Sequence, residues 1–168
     1  MKYRDVILNG SDGFQFKLVK YRDEYNVILD NFYNVDEELL DCVKEFPKIY
    51  SELSDYQSYI IFDNKKDICI GLVCIGTSCD EKDLEVKIQV DEREFSIGEE
   101  FYIIVDQIID ILGYCFRNMN NIEVDLVNKI DLSNYSDKYK KIIYDEKMIT
   151  YVFCNKIDGK KRVYGKKK

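Results

Sequence analysis

The sequence contains no histidine, no tryptophan and a single proline, and it has no long apolar run. Without histidine, the chain lacks the commonest general base and the Ser-His and Cys-His nucleophile pairs. Proton transfer must therefore use carboxylates, tyrosine, lysine, cysteine or water. No segment reaches the roughly 18 consecutive apolar residues of a membrane span, and no apolar signal block follows Met1, so we expect a cytoplasmic protein without a membrane-spanning helix.

The six cysteines form no recognisable metal or disulfide pattern. None of them makes a C-x-x-C pair, and the absence of histidine removes the usual mixed zinc sites. Cys69, Cys74 and Cys79 recur at a constant interval that fits neither a metal knuckle nor one face of a strand. We expect all of the cysteines to be reduced, small apolar side chains, and we expect no metal cofactor.

Charge is divided unevenly along the chain. Residues 156–168 carry seven Lys or Arg and one Asp, so residues 1–155 hold a net charge of −13 within the total of −7. An acidic body attracts cationic small molecules or basic peptides and repels nucleic acid, which makes nucleic-acid binding through the tail the least favoured hypothesis. A solvated surface with a frayed basic end would carry the same charges without any ligand.

The length and apolar content predict one domain. With 168 residues, 46% of them apolar, the chain can bury one sizeable core. No repeat, linker or Pro/Gly-rich break divides it. We therefore expect a single domain over 1–168, with 156–168 as a basic C-terminal hairpin or tail.

The N-terminal half predicts a hairpin, two helices and a strand meander. Two apolar runs flank a loop of turn-forming residues at 9–13, which predicts the hairpin. Helical spacing then predicts a first helix over 25–33 with Asp23 as its N-cap. A second helix is predicted after Asp36 and resumes after Pro47. Strand signals follow at 59–62, 68–75 and 84–90.

The C-terminal half begins with the strongest periodic signal in the chain. Apolar residues at helical spacing predict a long helix over 101–115. The strand that follows, at 122–126, must then pair in parallel with the strand at 84–90. The predicted order ends with a last helix over 139–144, a strand at 148–155 and a final strand at 161–164.

The turn between the strand at 84–90 and the long helix resembles the phosphate-binding segment of the GNAT acyltransferases. The pattern of that segment, R/Q-x-x-G-x-G/A, is met by Arg93 at its first position and Gly98 at its last, while Ser96 replaces the central glycine. A helix that begins just past a strand presents free N–H groups and the positive end of its dipole, which suit a phosphate.

The order of the elements resembles the GNAT fold over nearly the whole chain. The resemblance implies an α+β (mixed α/β) protein with a central mixed, mostly antiparallel sheet of about seven strands flanked by about four helices. It also implies a binding site for acetyl-coenzyme A between the strands at 84–90 and 121–127. The implied coenzyme-binding residues are Ile88, Gln89, Val90, Arg93, Phe95, Ser96, Ile97, Gly98, Glu99 and Asn128.

Within that implied site, each segment has its own part. The pyrophosphate would lie on the N–H groups of residues 95–99, and the pantetheine arm would lie along residues 88–90 with Asn128 beside it. A backbone N–H near Ile88 would polarise the thioester carbonyl, in the manner of an oxyanion hole.

Two side chains are the candidates for catalytic proton transfer. Tyr139 lies in a segment similar to the family's Y-x-K-x-G-F motif, whose tyrosine protonates the departing thiolate, although a packed core tyrosine would have the same helical spacing. Alternation puts Glu85 on the polar face of the strand that would bear the coenzyme, which makes it the first candidate for the general base, with Glu123 and Asp125 in reserve. All three carboxylates would equally face water without a catalytic role.

Two functions remain open from the sequence. The first is an N-acyltransferase in which a primary amine attacks acetyl-coenzyme A directly, with an acidic cleft that suits a cationic amine such as a polyamine, an amino sugar or a peptide lysine. The second is a GNAT-like scaffold that has lost the coenzyme and serves as a protein-binding or regulatory module. Ser96 and Glu99 fit a helical capping box that would consume the donors a phosphate needs, and Glu94 adds a further carboxylate. A homodimer is left open.

Overall fold

A computed structural model describes residues 6–9, 15–49, 58–64, 68–93, 99–139, 143–144, 148–154, 156–157 and 160–161. Its strands are β1 (Val6–Asn9), β2 (Gln15–Lys20), β3 (Ser58–Asp63), β4 (Cys69–Thr77), β5 (Asp83–Val90), β6 (Asn121–Leu126), β7 (Ile143–Tyr144), β8 (Ile149–Cys154), β9 (Lys156–Ile157) and β10 (Lys160–Lys161). Its helices are α1 (Asn26–Leu29), α2 (Glu37–Ile49) and α3 (Glu99–Cys115), with short 3₁₀ turns at Asp23–Tyr25 and Leu132–Asn134.

Within the described residues, eight strands form one mixed sheet in the spatial order β1-β2-β3-β4-β5-β6-β8-β7. Neighbouring strands are antiparallel except β5 and β6, which run parallel. The predicted N-terminal hairpin, the meander of β3, β4 and β5, and the parallel crossover through α3 are confirmed. After β8 the short strands β9 and β10 pair with each other, so this hairpin lies before the predicted final strand over 161–164, of which the structure describes only Lys161.

The larger core lies between α3 and one face of the sheet. The predicted apolar face of α3 is confirmed, because its periodic residues are at most 1% exposed: Phe101, Ile104, Val105, Ile108 and Leu112. They share this core with alternate residues of β5 and β6. Burying each such side chain stabilises the fold by about 1.5–3 kcal/mol, so α3 anchors the crossover firmly to the sheet.

A second core lies on the opposite face, where α1 and α2 cover β2, β3 and β4. Leu39 and Val43 of α2 are buried there against Ile60, Phe62 and Leu72. Residues of β5 and β6 alternate between the two faces, so Glu85 and its polar neighbours lie on the same face as this second core, and Glu85 is exposed.

A bulge in β4 accounts for the burial of two cysteines. Two consecutive residues of β3 pair with Cys69 and Gly71, so Ile70 is an extra residue in β4. An extra residue reverses the alternation of side chains beyond it, and Cys69 and Cys74 both lie in the core with α2. The expectation that the spacing of the three cysteines fits no single strand face is therefore wrong for Cys69 and Cys74, whereas Cys79 lies exposed beyond the end of β4. Burial raises the pKa of both thiols to about 12, which keeps them protonated and unreactive.

The first helix is shorter than the predicted range of residues 25–33. Residues 25–33 form only the end of a 3₁₀ turn and the four-residue α1, and the cap position is Arg22 instead of Asp23, with no side-chain cap. The side chains of Gln89 in β5 and of Asp91 just after it bind backbone groups of residues 33–36 and hold them in a non-helical turn. These tertiary hydrogen bonds end the helix that local spacing would continue.

The predicted last helix over 139–144 is wrong at the three positions that the structure describes there, and residues 140–142 lie outside the described residues. Tyr139 lies in a loop, and Ile143–Tyr144 forms β7, antiparallel to β8. A helical pattern shorter than about two turns contributes little, whereas pairing satisfies backbone groups along the edge of β8. The second predicted helix is present as α2 and includes Pro47, and residues 50–57 lie outside the described part of the chain.

No helix in the described ranges is long and apolar enough to cross a membrane. The expected single domain over 1–168 stays a prediction.

Candidate functional site

The parallel pairing of β5 with β6 ends at Ile88 and Leu126, two residues before β5 itself ends. The N–H of Val127 still donates to the carbonyl of Ile88 at 3.0 Å. Val90 bonds to a side chain instead of a strand: its N–H donates to Oδ1 of Asn128 at 2.8 Å, and its carbonyl accepts from Nδ2 at 2.9 Å. The Asn128 carboxamide thus takes the place of a further strand residue.

Of the β5 residues that were predicted to bind the pantetheine arm, only Val90 has backbone groups that face beyond the parallel pair. Ile88 lies inside the parallel ladder, so Val90 is the residue of β5 whose N–H and C=O face past the end of β6. The two strands do not part between residues 83 and 88. Asn128 does lie beside Val90, as the resemblance implies, but it is bound to the strand that the arm would follow.

A cavity of about 420 Å³ adjoins Asn128. It lies between the ends of β5 and β6 and the turn that leads into α2, and its volume is in the range of small-molecule sites. The residues that line it are Asn34, Val35, Asp36, Glu37, Gln89, Glu92, Val127, Asn128 and Lys129. Three carboxylates and one ammonium therefore border the cavity, so its lining is negatively charged at neutral pH.

The turn side of the cavity is shaped by the buried carboxamide of Gln89, which is 6% exposed. Its Nε2 donates to the carbonyl of Asn34 at 3.0 Å, and its Oε1 accepts from the N–H of Asp36 at 2.9 Å. Asn34 has φ 52°, and Lys129 across the cavity has φ 57°, both in the left-handed region. Such a conformation costs a non-glycine residue about 1–2 kcal/mol, and the two bonds from Gln89 offset that cost at Asn34.

Arg93, the predicted pyrophosphate ligand, is 52% exposed, and its guanidinium bonds to other groups of the protein. Its Nη2 lies 3.3 Å from the Asp91 carboxylate and donates to the carbonyl of Asn31 at 3.0 Å, and its guanidinium carbon lies 4.7 Å from the ring centre of Tyr33. The Asp91 side chain is 2% exposed and accepts from the N–H groups of Tyr33 and Arg93. Burial alone raises the pKa of Asp91, but the bonds from Arg93 and from these N–H groups outweigh it and lower the pKa.

This lowered pKa predicts a pH dependence of stability. Because the folded pKa lies below the ordinary value of 3.8, Asp91 stabilises the fold above pH 3.8 and loses that contribution as the pH falls through the folded pKa. We expect Asp91→Asn to lower the free energy of unfolding by about 1 kcal/mol at neutral pH, from the loss of charge-assisted hydrogen bonds. In urea unfolding followed by circular dichroism, the gap between wild type and variant should shrink below pH 3.8. A gap that stays constant down to pH values well below 3.8 would contradict the assignment.

The other residues predicted to bind the pyrophosphate are Phe95, Ser96, Ile97 and Gly98, and they lie outside the described residues. Of Glu99 only the backbone is described, as the first residue of α3. The predicted capping box of Ser96 and Glu99 lies outside the described part as well. The helix does begin shortly after β5, which is the arrangement that the phosphate-binding hypothesis needs.

Tyr139, the predicted general acid, is buried in the core beside α3. Its ring makes edge-to-face contacts with Tyr102, Tyr151 and Phe153, and its hydroxyl donates to Asp106 of α3 at 2.8 Å. Burial, with Asp106 beside the hydroxyl, raises the pKa of Tyr139 above its ordinary value. The structure thus favours the packed core tyrosine that the sequence left as the alternative.

Glu85, the predicted base, lies on the opposite face of β5 and is exposed. Its register neighbour in β6 is Glu123, whose pKa is raised by burial and by the nearby Asp125 and Glu85. Asp125 accepts from the hydroxyl of Thr150 at 2.6 Å. Glu85 precedes Gln89 by four strand residues, a distance of about 13 Å. The predicted base and its two reserves therefore gather on one face of the sheet, and none of them is among the residues that line the cavity.

Sequence reasoning missed the carboxylates that line the cavity. Asp36 caps α2 by accepting from the N–H of Leu39 at 2.8 Å, and Glu37 is exposed in the first turn of that helix. Glu92 follows β5 and accepts from Nδ2 of Asn128 at 3.3 Å. An acidic start to α2 is visible in the sequence, but nothing in its pattern says that this start meets the end of β5. Among the described side chains, no group of three or more Cys, Asp or Glu is placed to hold a metal ion.

This mixed sheet, with α1 and α2 on one face, α3 on the other and a single parallel pair, is the fold of the GNAT N-acetyltransferases. No family model matches the sequence, and no curated protein matches it significantly. Solved structures are similar to it. The ribosomal-protein-S5-alanine acetyltransferase from Vibrio fischeri is 14% identical with a TM-score of 0.56, over 90% of this chain and 97% of the other.

Two further structures are similar at the same level. RimL, a ribosomal L7/L12 alpha-N-protein acetyltransferase in complex with coenzyme A, is 11% identical with a TM-score of 0.55, over 92% of this chain and 99% of its own. A chimera of the spermidine N-acetyltransferase SpeG from Vibrio cholerae and hSSAT is 12% identical with a TM-score of 0.51, over 83% of this chain and 95% of the chimera. These likenesses confirm the predicted α+β fold class, although the described residues contain three α-helices where about four were predicted.

Proposed function

We propose that the protein is an N-acyltransferase that moves an acetyl group from acetyl-coenzyme A to a cationic primary amine. The observation that carries the proposal is the carboxamide bound at Val90, because this edge of β5 already holds an amide by both its C=O and its N–H. The pantetheine arm of coenzyme A consists largely of amides, which need the same pair of hydrogen bonds. The likeness to RimL, whose structure contains coenzyme A, supports the same choice.

The residues around the cavity supply the remaining parts of the reaction. Val90 would exchange the Asn128 carboxamide for an amide of the pantetheine arm, so that the thioester lies at the cavity. A cationic amine must lose one proton before its nitrogen can attack, and we assign that proton to Glu92, because its carboxylate lies 3.3 Å from Nδ2 of Asn128 and so borders the amide site. The freed nitrogen attacks the thioester carbon: a C–N bond forms, the C–S bond breaks, and its electron pair leaves on the thiolate. The thiolate then takes the second proton of the nitrogen through water.

The sequence-predicted residues keep the status of proposals. Glu85 remains the alternative base, with Glu123 and Asp125 behind it, and residues 95–99 remain the proposed pyrophosphate site. Tyr139 is not needed as an acid when water protonates the thiolate. The expected cytoplasmic location and a homodimer also stay predictions.

The charge of the cavity supports a cationic acceptor. Asp36, Glu37 and Glu92 face it with only Lys129 as a cation among its lining residues. A negative lining raises the local concentration of ammonium groups and repels anionic acceptors. A polyamine, an amino sugar or the amine of a peptide is therefore the proposed substrate class, and the spermidine substrate in the name of the SpeG chimera fits that class.

Calorimetric titration with acetyl-coenzyme A tests the proposal, with Asn128→Ala as the sensitive variant. Asn128 occupies the amide site, and its hydrogen bonds to Val90 must be broken before the coenzyme can bind there. Removing its carboxamide removes this free-energy cost, so we expect the affinity for acetyl-coenzyme A to rise by about threefold to tenfold. Asn121→Ala is the matched control. It removes the carboxamide that bridges to Asp83 at 3.0 Å, at the opposite end of the parallel pair, and should leave the affinity unchanged.

The absence of both binding heat and thermal shift at millimolar acetyl-coenzyme A, in wild type and in Asn128→Ala, would end the enzyme hypothesis. The same absence would favour the second candidate, a GNAT-fold scaffold without coenzyme. The observation that favours this candidate is that Arg93 and the Val90 edge are both already bound within the protein. The double substitution Ser96→Gly with Glu94→Gly separates the two, since it should change the affinity of an enzyme and leave a scaffold indifferent.

A further inference from the structure

Three side chains, one near the end of β5 and two just after it, hold the turn before α2. Gln89, Asp91 and Arg93 are alternate residues, and all three bond to backbone groups of residues 31–36. Gln89 binds one N–H and one carbonyl of the turn, Asp91 accepts from one N–H, and Arg93 donates to one carbonyl. Residues 34–36 of this turn, together with Glu37 at the start of α2, form the acidic wall of the cavity.

Arg93 is the residue that completes this set of bonds. Its guanidinium contacts Asp91 through both Nε and Nη2, donates to the Asn31 carbonyl and lies over the ring of Tyr33. An arginine that binds phosphate must present its fork of N–H groups outward, and here Nε and Nη2 are turned to Asp91 and Asn31. Turning it away would leave the Asp91 carboxylate, 2% exposed, without its counter-ion.

We propose that Arg93 is a positioning residue: with Asp91 it sets the acidic wall of residues 34–37 against which the amine substrate binds, and it does not bind the pyrophosphate of the coenzyme. The identity of the ligand at that wall rests on the proposed function. The wall's attachment to β5 does not, because it follows from the hydrogen bonds alone. The match of Arg93 to the first position of the phosphate motif is then a coincidence of spacing.

The charge at Asp91 explains why an arginine is needed at this position. Asp91 has two N–H donors from the backbone, but each is a single neutral bond, whereas the guanidinium supplies the opposite charge. A glutamine at residue 93 could still donate a hydrogen bond but would leave the carboxylate unpaired. A lysine would keep the charge while losing the fork that reaches Asp91 and Asn31 together.

Hydrogen exchange and coenzyme titration of the full chain test the proposal together. We expect Arg93→Gln to speed exchange of the backbone amides in residues 31–36 about tenfold, with no change in α3, because the loss is local. Arg93→Lys should restore part of the protection, since an ammonium still pairs with Asp91 but no longer reaches the Asn31 carbonyl as well. The affinity for acetyl-coenzyme A should change by less than about twofold, whereas a lost phosphate contact would cost about tenfold or more.

Arg117→Gln is the matched control. Arg117 also lies over a tyrosine ring, with its guanidinium carbon 5.7 Å from the ring centre of Tyr114, and its substitution removes the same charge after the end of α3. Unchanged exchange in residues 31–36 of Arg93→Gln would overturn the positioning role. A tenfold loss of acetyl-coenzyme A affinity in Arg93→Gln alone would return Arg93 to the phosphate. If the wild type binds no coenzyme, the proposed function falls, and the exchange result still decides whether Arg93 holds the wall.

Discussion

Tyr139→Ala is expected to lower the free energy of unfolding by about 3–5 kcal/mol, the range for removing a large aromatic side chain from a core. Tyr139 is among the largest fully buried side chains, at 0% exposure, and it contacts the rings of Tyr102, Tyr151 and Phe153. Truncation leaves a cavity that these rings fill only in part, and it removes the hydroxyl that donates to Asp106. Urea unfolding monitored by fluorescence and circular dichroism measures the loss.

Tyr139→Phe separates packing from chemistry. It keeps the ring and removes one hydrogen bond, so we expect a cost of only about 1 kcal/mol. Asp106 keeps its ion pair with Lys138 in this variant. In an acetyl-transfer assay the rate should persist, because the hydroxyl is already committed to Asp106. A rate that collapses in Tyr139→Phe without a loss of stability would restore the tyrosine to the role of general acid.

Gly71→Ala is expected to destabilise the protein by about 1–3 kcal/mol through overpacking. A Cβ at this position would lie 2.9 Å from Cδ1 of Ile61 and 3.0 Å from the carbonyl oxygen of Gln89. The side-chain end of Ile61 can move, but the Gln89 carbonyl belongs to the central strand β5 and pairs beside Leu72 of β4. The strand must therefore shift at the residue whose side chain holds the wall of the cavity.

A double-mutant cycle with Ile61→Val checks the physical cause. Valine lacks the Cδ1 atom, so it relieves the closest contact while leaving the contact with the Gln89 carbonyl and the contact with Cβ of residue 61 at 3.3 Å. We expect the cost of Gly71→Ala to be smaller in the Ile61→Val background by about 0.5 kcal/mol or more. Full additivity of the two substitutions would show that the Cδ1 contact contributes nothing to the cost. Wild-type stability of Gly71→Ala would contradict the overpacking argument itself.

The parts of the fold that sequence predicted well are those set by long apolar periodicity. The buried face of the seventeen-residue α3 runs from Phe101 to Leu112, too long a pattern to arise without burial. The strand alternation at Leu84 and at Ile122 on either side of that helix then required a parallel pair, because a helical crossover returns the chain to the same edge of the sheet. Short patterns were less reliable, as residues 139–144 show.

The predicted coenzyme site stays a prediction, but a cavity does border the ends of β5 and β6, where the resemblance implied that site, and Asn128 lines it. The partners of Arg93 and of Val90 could not be predicted, because they come from segments distant in sequence: Asn31 lies 62 residues before Arg93, and Asn128 lies 38 residues after Val90. The local sequence pattern does not indicate whether a given polar side chain bonds to a ligand or to another part of the protein.

The amino-acid sequence by itself determined the class of the fold, since burial of apolar residues at periods of two and 3.6 leaves few ways to arrange these elements. Only the tertiary structure decided how the polar groups are used. The β4 bulge placed Cys69 and Cys74 on one face of the sheet. The hydroxyl of Tyr139 donates to Asp106, and Arg93 forms an ion pair with Asp91. The physical reason is that apolar burial depends on where a residue lies along its own element. A hydrogen bond or an ion pair depends instead on which other element the fold brings next to the polar group.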